Sequence, residues 1–432
     1  MDELWIDPKF LWITLFLNLN AAVSRMNKQT EQYLVTRYDY DLPSEKIADH
    51  PLDNRDQSRL LVYRKGSITD DHFYRLSHHL PEASTLILND TKVIEARLLF
   101  SKPTGGTIEI FCLEPHLQSM ESSLQSRTSV EWHCLIGGAS KWKHGQVLQK
   151  EIEIDGNKVD LFAKINSYEA EHFIIGFSWE PGGFTFAEIL HKAGNIPLPP
   201  YIKRKTTAHD HNRYQTIFGN REGSVAAPTS ALHFTNEVFE SLDRKNIKRD
   251  HITLHVGAGT FKPVKTASVL DHVMHREPFS ITQALVKRII EAHTIIATGT
   301  TTLRTLESMY WMGVKILQSK HNISELAQWE AYELAKDSPG ISTAESFEVL
   351  HQYISRLPGN ILNGYTSLMI VPGYRFRVAD AILTNFHQPQ STLLLLVSAF
   401  IGEDWRKVYR HALDHDYRFL SYGDSSLLWR ND

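Results

Sequence analysis

The stretch ITQALVKRIIEAHTIIATG, Ile281 to Gly299, decides the fold. Its first part, to His293, is read as a helix, and Thr294 to Gly299 is a short apolar strand. HITLHV, His251 to Val256, is a strand upstream of it, so the order is strand, helix, strand, with loops rich in Gly, Thr and His. That alternation predicts an α/β layer. From Ser84 to about Glu180 the texture differs, running through STLILND, GGTIEIFCLEP, SVEWHCLIGG, VLQKEIEI, KVDLFAKIN and HFIIGFSW. In TIEIF, Ile108 and Ile110 fall on one face and Glu109 on the other, as a half-buried antiparallel strand requires. The expected fold class is therefore α/β. A discontinuous α/β domain, residues 30–91 and 181–432, would carry an inserted small antiparallel β-barrel domain, residues 92–180.

With 46 Lys plus Arg against 50 Asp plus Glu, the 432-residue chain has a formal charge of −4. At 42% hydrophobic and 22% charged it is an ordinary globular composition, which excludes disorder as the main state. Cys112 and Cys134 cannot make a disulfide framework or a four-thiolate zinc site, and a reducing cytoplasm is the simplest compartment. The charge balance gives no global case for nucleic acid, so RNA contact requires a local patch. The apolar run Phe10 to Val23 is too short to span a bilayer, and Asp2, Glu3 and Asp7 stand where a signal peptide carries positive charge. Residues 1–25 are expected to lie outside the functional fold, with no membrane partner; a peripheral membrane or partner helix is the alternative.

Six segments carry residues suited to chemistry. In TIIATGTTTLRTLES, Thr300, Thr301 and Arg304 follow a strand and a Gly299 turn, where free amides at a helix start cradle an anion; the plainer reading is that the threonines cap the helix. AILTNFHQPQSTLLLLVSAF repeats the design, so Asn385 and His387 would share a crevice with the first loop, or would only satisfy backbone groups of a Pro389 turn. GSVAAPTSALHFT and HITLHVGAGTFKPV place Thr229, His233 and His255 among small residues, as a nucleoside-sized pocket needs, though either histidine also suits a core. His272, His275 and Glu277 have a spacing that matches neither the helical nor the ribbon zinc pattern; acid-base chemistry or a polar loop fits them better than a metal. LPPYIKRKTTAHDHNRY offers Lys203, Arg204 and Arg213 beside Tyr201 and Tyr214, charge plus a stacking face for RNA, or simply a solvated loop.

Taken together these segments, with YDYDLP, HPLDNRDQSRLLV, LNDTKVIEARL, GNIPLPPYIKR, DHVMHREPF, PGYRFRVADAILTNFH and YRFLSYGD, closely resemble the S-adenosylmethionine:tRNA ribosyltransferase-isomerase family of queuosine synthesis. The resemblance covers essentially everything after residue 35. It implies a monomeric cytoplasmic enzyme that moves the ribosyl part of S-adenosylmethionine onto 7-aminomethyl-7-deazaguanine at the tRNA wobble position. Epoxyqueuosine, adenine and methionine would be the products, with S-adenosylmethionine a consumed cosubstrate and no metal. Such chemistry needs a base, for which His233 with Glu277 or His255 are the candidates. Thr300, Thr301 and Arg304 would hold the methionine carboxylate, Thr229, Asn385 and His387 would face the nucleoside, and Lys203, Arg204, Arg213 and Tyr214 would contact the anticodon arm. The chain departs from the family's usual pattern at Ile136 to Lys143 and at Gln388-Pro389-Gln390, and Gln328 to Ser346 has no legible role.

Overall fold

Successive residues of the central strands point to opposite faces, and here both faces are buried. Leu86 and Leu88 of Thr85–Asn89, Ile296 of Ile295–Thr298, and Ala381 and Leu383 of Ala381–Asn385 pack on one side with Phe73, Leu76, Phe234 and Val238. Ile87, Ala297 and Ile382 alternate to the other side, where the helices Gln283–Glu291, Thr300–Leu317, Thr343–Ile354 and Thr392–Ile401 contribute their apolar residues. The computed structural model describes residues 33–102, 105–143, 145–169, 172–257 and 264–431. Residues 1–25 and the Phe10 to Val23 run lie outside them, as does Gly259. No helix among the described residues is long and apolar enough to cross a membrane.

The main sheet has ten strands. Its centre is parallel, in the order Lys248–Leu254, Thr85–Asn89, Ile295–Thr298 and Ala381–Asn385, as the α/β alternation predicts. Glu277–Thr282, paired antiparallel, then Ile361–Thr366 and the edge strand Glu325–Leu326 extend it at one end; Ser425–Trp429, also paired antiparallel, and the hairpin Arg59–Arg64 with Ser67–His72 extend it at the other. The helix predicted over Ile281 to His293 spans only Gln283–Glu291. Its first two residues are instead strand, because Ile281 and Thr282 pair with Leu362 and Ile361, and Thr282 then caps the helix through the amide of Leu285 at 3.1 Å.

Between the first and later strands of this sheet the chain builds a second, seven-stranded antiparallel sheet. It runs Gly194–Asn195, Arg97–Ser101, Thr107–Pro115, Ser129–Gly137, His172–Glu180, Asn157–Glu169, Val147–Ile154. The ladder is open, with distinct edge strands, so the expected barrel is a curled half-barrel. A helix supplies what closure would have supplied. Phe186–Ala193, held by a capping box at Thr185 and Glu188, inserts Phe186 against Trp132, Phe177 and Trp179, and Lys150 on the far edge strand donates to the Ala193 carbonyl at 2.6 Å. Thr91–Val93 and Arg221–Ser224 pair in parallel beside the junction of the two sheets.

Gly313 lies where the helices Thr300–Leu317 and Thr343–Ile354 cross. A methyl group there would stand 2.2 Å from the Ser346 carbonyl oxygen, so this crossing requires glycine. The otherwise unread Gln328 to Ser346 stretch holds a neighbouring loop: the Gln328 side chain donates to the His272 carbonyl at 2.6 Å and accepts from the Met274 amide at 3.0 Å.

Candidate active site

The loops after Ile295–Thr298 and Ala381–Asn385 meet, as expected of adjacent strands that end on the same side of a parallel sheet. Gly299, Thr300 and Thr301 from the first, and Asn385, His387 and Ser391 from the second, line one pocket with Thr229 and Tyr201. The cap reading of the threonines does not hold. Gly299, at φ +90°, is the N-cap residue of Thr300–Leu317 and no side chain caps the first-turn amides, which lie at the pocket wall. Ser391, by contrast, caps its own helix through the Leu394 amide at 3.2 Å.

Asn385 does not serve a Pro389 turn. Its side-chain oxygen accepts from Thr229 at 2.9 Å and from Ser230 at 3.3 Å, tying the GSVAAPTSALHFT segment to this pocket. Its amide nitrogen lies 3.4 Å from His233 Nε2. His233 is thus behind Asn385, in a separate small cavity with Arg55 and Arg418, its Nδ1 facing the Arg55 carbonyl at 3.3 Å. Burial pushes the His233 pKa down to about 4, which keeps the ring neutral. His387 is buried too, its pKa pushed down to about 3 by desolvation. Its Nε2 is 2.9 Å from Thr384 Oγ1, its amide donates to Tyr409 and its carbonyl accepts from Tyr40.

His255 faces a different space. A cleft of about 1220 Å³ opens between the two sheets, lined by His255, Glu277, Arg221, Arg276 and Tyr365 from the larger unit and by Leu113, Met120, Leu135 and His172 from the half-barrel side. Val256 lines both the cleft and the pocket, so the two adjoin. His255 Nδ1 sits 2.9 Å from the Thr91 hydroxyl, and burial lowers its pKa to about 4. Gly223 is required beside it: a Cβ there would meet the imidazole at 2.9 Å, at a φ of +142°. Thr91 escaped the sequence reading because LNDTKV carries no chemical signal until the fold brings it to His255.

Glu277 and Arg304 form a buried ion pair. This changes the expectation for both. Arg304 points away from the threonine pocket toward the cleft wall, and the Glu277 carboxylate is committed to a guanidinium. Among the described residues, His272, His275 and Glu277 do not converge on one point.

In the basic loop the structure separates charge from scaffold. Tyr214 is fully buried and packs edge-on against Tyr422, so it offers no stacking face; that expectation is corrected. Arg204 clasps Asp210 in two bonds of 2.7 Å, and Asp210, which also accepts from Tyr422 and Thr207, is held well below the usual carboxylate range despite burial. Arg213 donates to the carbonyls of Leu52 and Asp53. Both arginines therefore hold the loop in place. Lys203 and Lys205 are the exposed cations. Tyr201 turns inward to Ser421, at 2.5 Å, in the pocket wall.

An S-adenosylmethionine:tRNA ribosyltransferase-isomerase from Magnetococcus marinus is 38% identical over 400 residues, covering 91% of this chain and 94% of that protein. The enzyme of the same name from Nitrosomonas europaea is 36% identical over 398 residues, covering 90% and 95%. A crystal structure of S-adenosylmethionine tRNA ribosyltransferase from Thermotoga maritima aligns over 90% of this chain and 99% of that one, at 27% identity and a TM-score of 0.42. A family model described as queuosine biosynthesis protein matches residues 35–428, and the chain belongs to that family.

Proposed function

We propose that the chain transfers and isomerises the ribosyl moiety of S-adenosylmethionine onto 7-aminomethyl-7-deazaguanine at the tRNA wobble position, releasing adenine and methionine and leaving epoxyqueuosine. The observation that carries this reading is the junction at Val256 of a small pocket, into which Thr229, Thr300, Thr301, Asn385 and His387 bring polar groups, with a wide cleft. Part of a nucleoside-bearing cosubstrate would seat in the first, about 70 Å³ in volume, with the remainder and a tRNA loop with one base turned out in the second.

In this reading the first-turn amides at Thr300 and Thr301 hold the methionine carboxylate. Thr229, Asn385 and His387 face the nucleoside, with His233 fixing Asn385 from behind. The sulfonium acidifies the ribose carbon beside it. His255, neutral at working pH and at the junction, takes that proton, which leads to loss of adenine. The aminomethyl amine then attacks, the ring rearranges, and methionine leaves as the epoxide closes. Glu277, paired with Arg304, shapes the field of the cleft wall and is not the base. S-adenosylmethionine is consumed, and no metal takes part in the reaction. The enzyme works as a cytoplasmic monomer, its two sheets acting as an α/β domain and an inserted half-barrel domain.

Purified protein incubated with S-adenosylmethionine and tRNA bearing 7-aminomethyl-7-deazaguanine should yield both free adenine and epoxyqueuosine in the digested RNA. Adenine without modified RNA would overturn the transfer, and neither product from folded, tRNA-binding protein would reduce the chain to a binding module.

The tRNA-facing charge of the basic loop is assigned to Lys203 and Lys205. Changing both to Glu should weaken tRNA binding and reduce its dependence on salt, each lost phosphate contact removing about 0.7 to 0.9 from the slope of log K against log salt. S-adenosylmethionine binding should be unchanged. The same reversal at Arg204 should unfold the loop, because it leaves buried Asp210 facing another negative charge. Equal tRNA affinity in the double Lys variant, measured across a salt series, would remove the loop from the RNA interface.

A further inference from the structure

On the outer face of the half-barrel three potential ligands converge at a point the proposed reaction does not use. His133 lies mid-strand in Ser129–Gly137, between Trp132 and Cys134, which face the core, so its imidazole faces outward. His116 follows the neighbouring strand, and its amide donates to the Glu131 carbonyl at 2.9 Å, which sets it beside His133. Glu169 ends the strand Asn157–Glu169 and pairs with His172. His116 Nδ1 and His133 Nε2 are 3.1 Å apart with the rings at 69°, and one ligand atom from each of the three side chains lies within 4.8 Å of the others.

We propose that His116, His133 and Glu169 form a binding site for a divalent transition metal ion of the Zn²⁺ class. Two imidazole nitrogens and one carboxylate oxygen are a donor set that zinc accepts in a four-coordinate site, the fourth position going to water. Bonds of about 2.0 to 2.1 Å at tetrahedral angles put ligand atoms roughly 3.3 Å apart, close to the separation of the two histidine nitrogens. A hard cation such as Mg²⁺, which wants six oxygens, is excluded by the same donors. The competing explanation is a single N–H···N bond between neutral imidazoles, but that bond alone does not call for a carboxylate within reach of both rings. A bound ion would tie the middle of Ser129–Gly137 to the residue after Thr107–Pro115 and to the last residue of Asn157–Glu169, which pairs with His172 at the wall of the cleft. It would act as a clip on the half-barrel's rim rather than as part of the reacting pocket.

The full-length protein, stripped with chelator and titrated with Zn²⁺, should retain one equivalent after gel filtration, while Mg²⁺ is not retained. Substituted with Co²⁺, it should show the intense visible absorption of a tetrahedral centre with nitrogen and oxygen ligands. His116→Gln and Glu169→Gln should each weaken Zn²⁺ binding by at least about tenfold and abolish the Co²⁺ spectrum. Both positions lie outside the buried core, so the variants should keep the wild-type circular dichroism and metal-free melting temperature. Retention of zinc at full affinity in both variants would place the ion elsewhere, and failure of the wild-type protein to retain Zn²⁺ at micromolar concentration would leave only the imidazole pair.

Discussion

His255→Gln should lower kcat/KM by about 10² to 10⁴, the range that loss of a positioned proton acceptor removes, while leaving S-adenosylmethionine affinity near that of the wild type. Glutamine keeps most of the side-chain volume and a hydrogen-bond partner for Thr91, so the loss reports proton transfer rather than packing. The pH profile provides an independent readout. Burial lowers the His255 pKa to about 4, and only the neutral ring accepts a proton. The acid limb of kcat/KM should therefore fall well below the value of about 6.5 that an exposed histidine would give. His233→Gln should act differently, through the orientation of Asn385, raising KM for S-adenosylmethionine more than it lowers kcat. An unchanged kcat/KM in the His255 variant would remove this residue as the base.

Acid should destabilise this protein early and steeply. His233, His255 and His387 are neutral in the fold, with pKa values pushed down by burial to about 4, 4 and 3, whereas each titrates near 6.5 in an unfolded chain. Between those values the unfolded chain binds more protons than the folded one, so stability is present above about pH 6.5 and is lost as pH falls toward 4. Three such groups give a slope of up to about 4 kcal/mol per pH unit, at 1.36 kcal/mol each. Each histidine accounts for roughly 3 kcal/mol across the window, and together they rival the roughly 5 to 15 kcal/mol that holds an ordinary domain together. Urea unfolding at pH 7 and pH 5 should differ by several kcal/mol, and His387→Gln should flatten that difference by about a third, one histidine of three. A difference below about 1 kcal/mol would mean that these rings do not stay neutral on burial.

Much of the architecture is readable in one dimension, because strand and helix periods are local properties. TIEIF shows a buried face at Ile108 and Ile110, and TIIATGTTTLRTLES shows its strand, turn and helix. That the loops at Gly299 and Asn385 share a pocket is also legible, since neighbouring parallel strands end on the same side. The family is legible in the long motifs. The boundary at Thr282 was missed because antiparallel pairing with Ile361 draws two residues out of a helical pattern, and that partner lies far along the chain.

The sequence by itself thus determined the α/β class, the half-barrel's antiparallel strands, the family and the residue types of the pocket. Only the tertiary structure decided which of those residues line the pocket and the cleft. Arg304 meets Glu277, Arg204 meets Asp210, Tyr214 sinks against Tyr422, and His233 stands behind Asn385 while His255 opens on the cleft. None of these outcomes is a local property. A buried charge or ring must find a partner wherever the fold supplies one, and those partners lie between 6 residues away, for Arg204 and Asp210, and 152, for His233 and Asn385, or further still for Tyr214 and Tyr422.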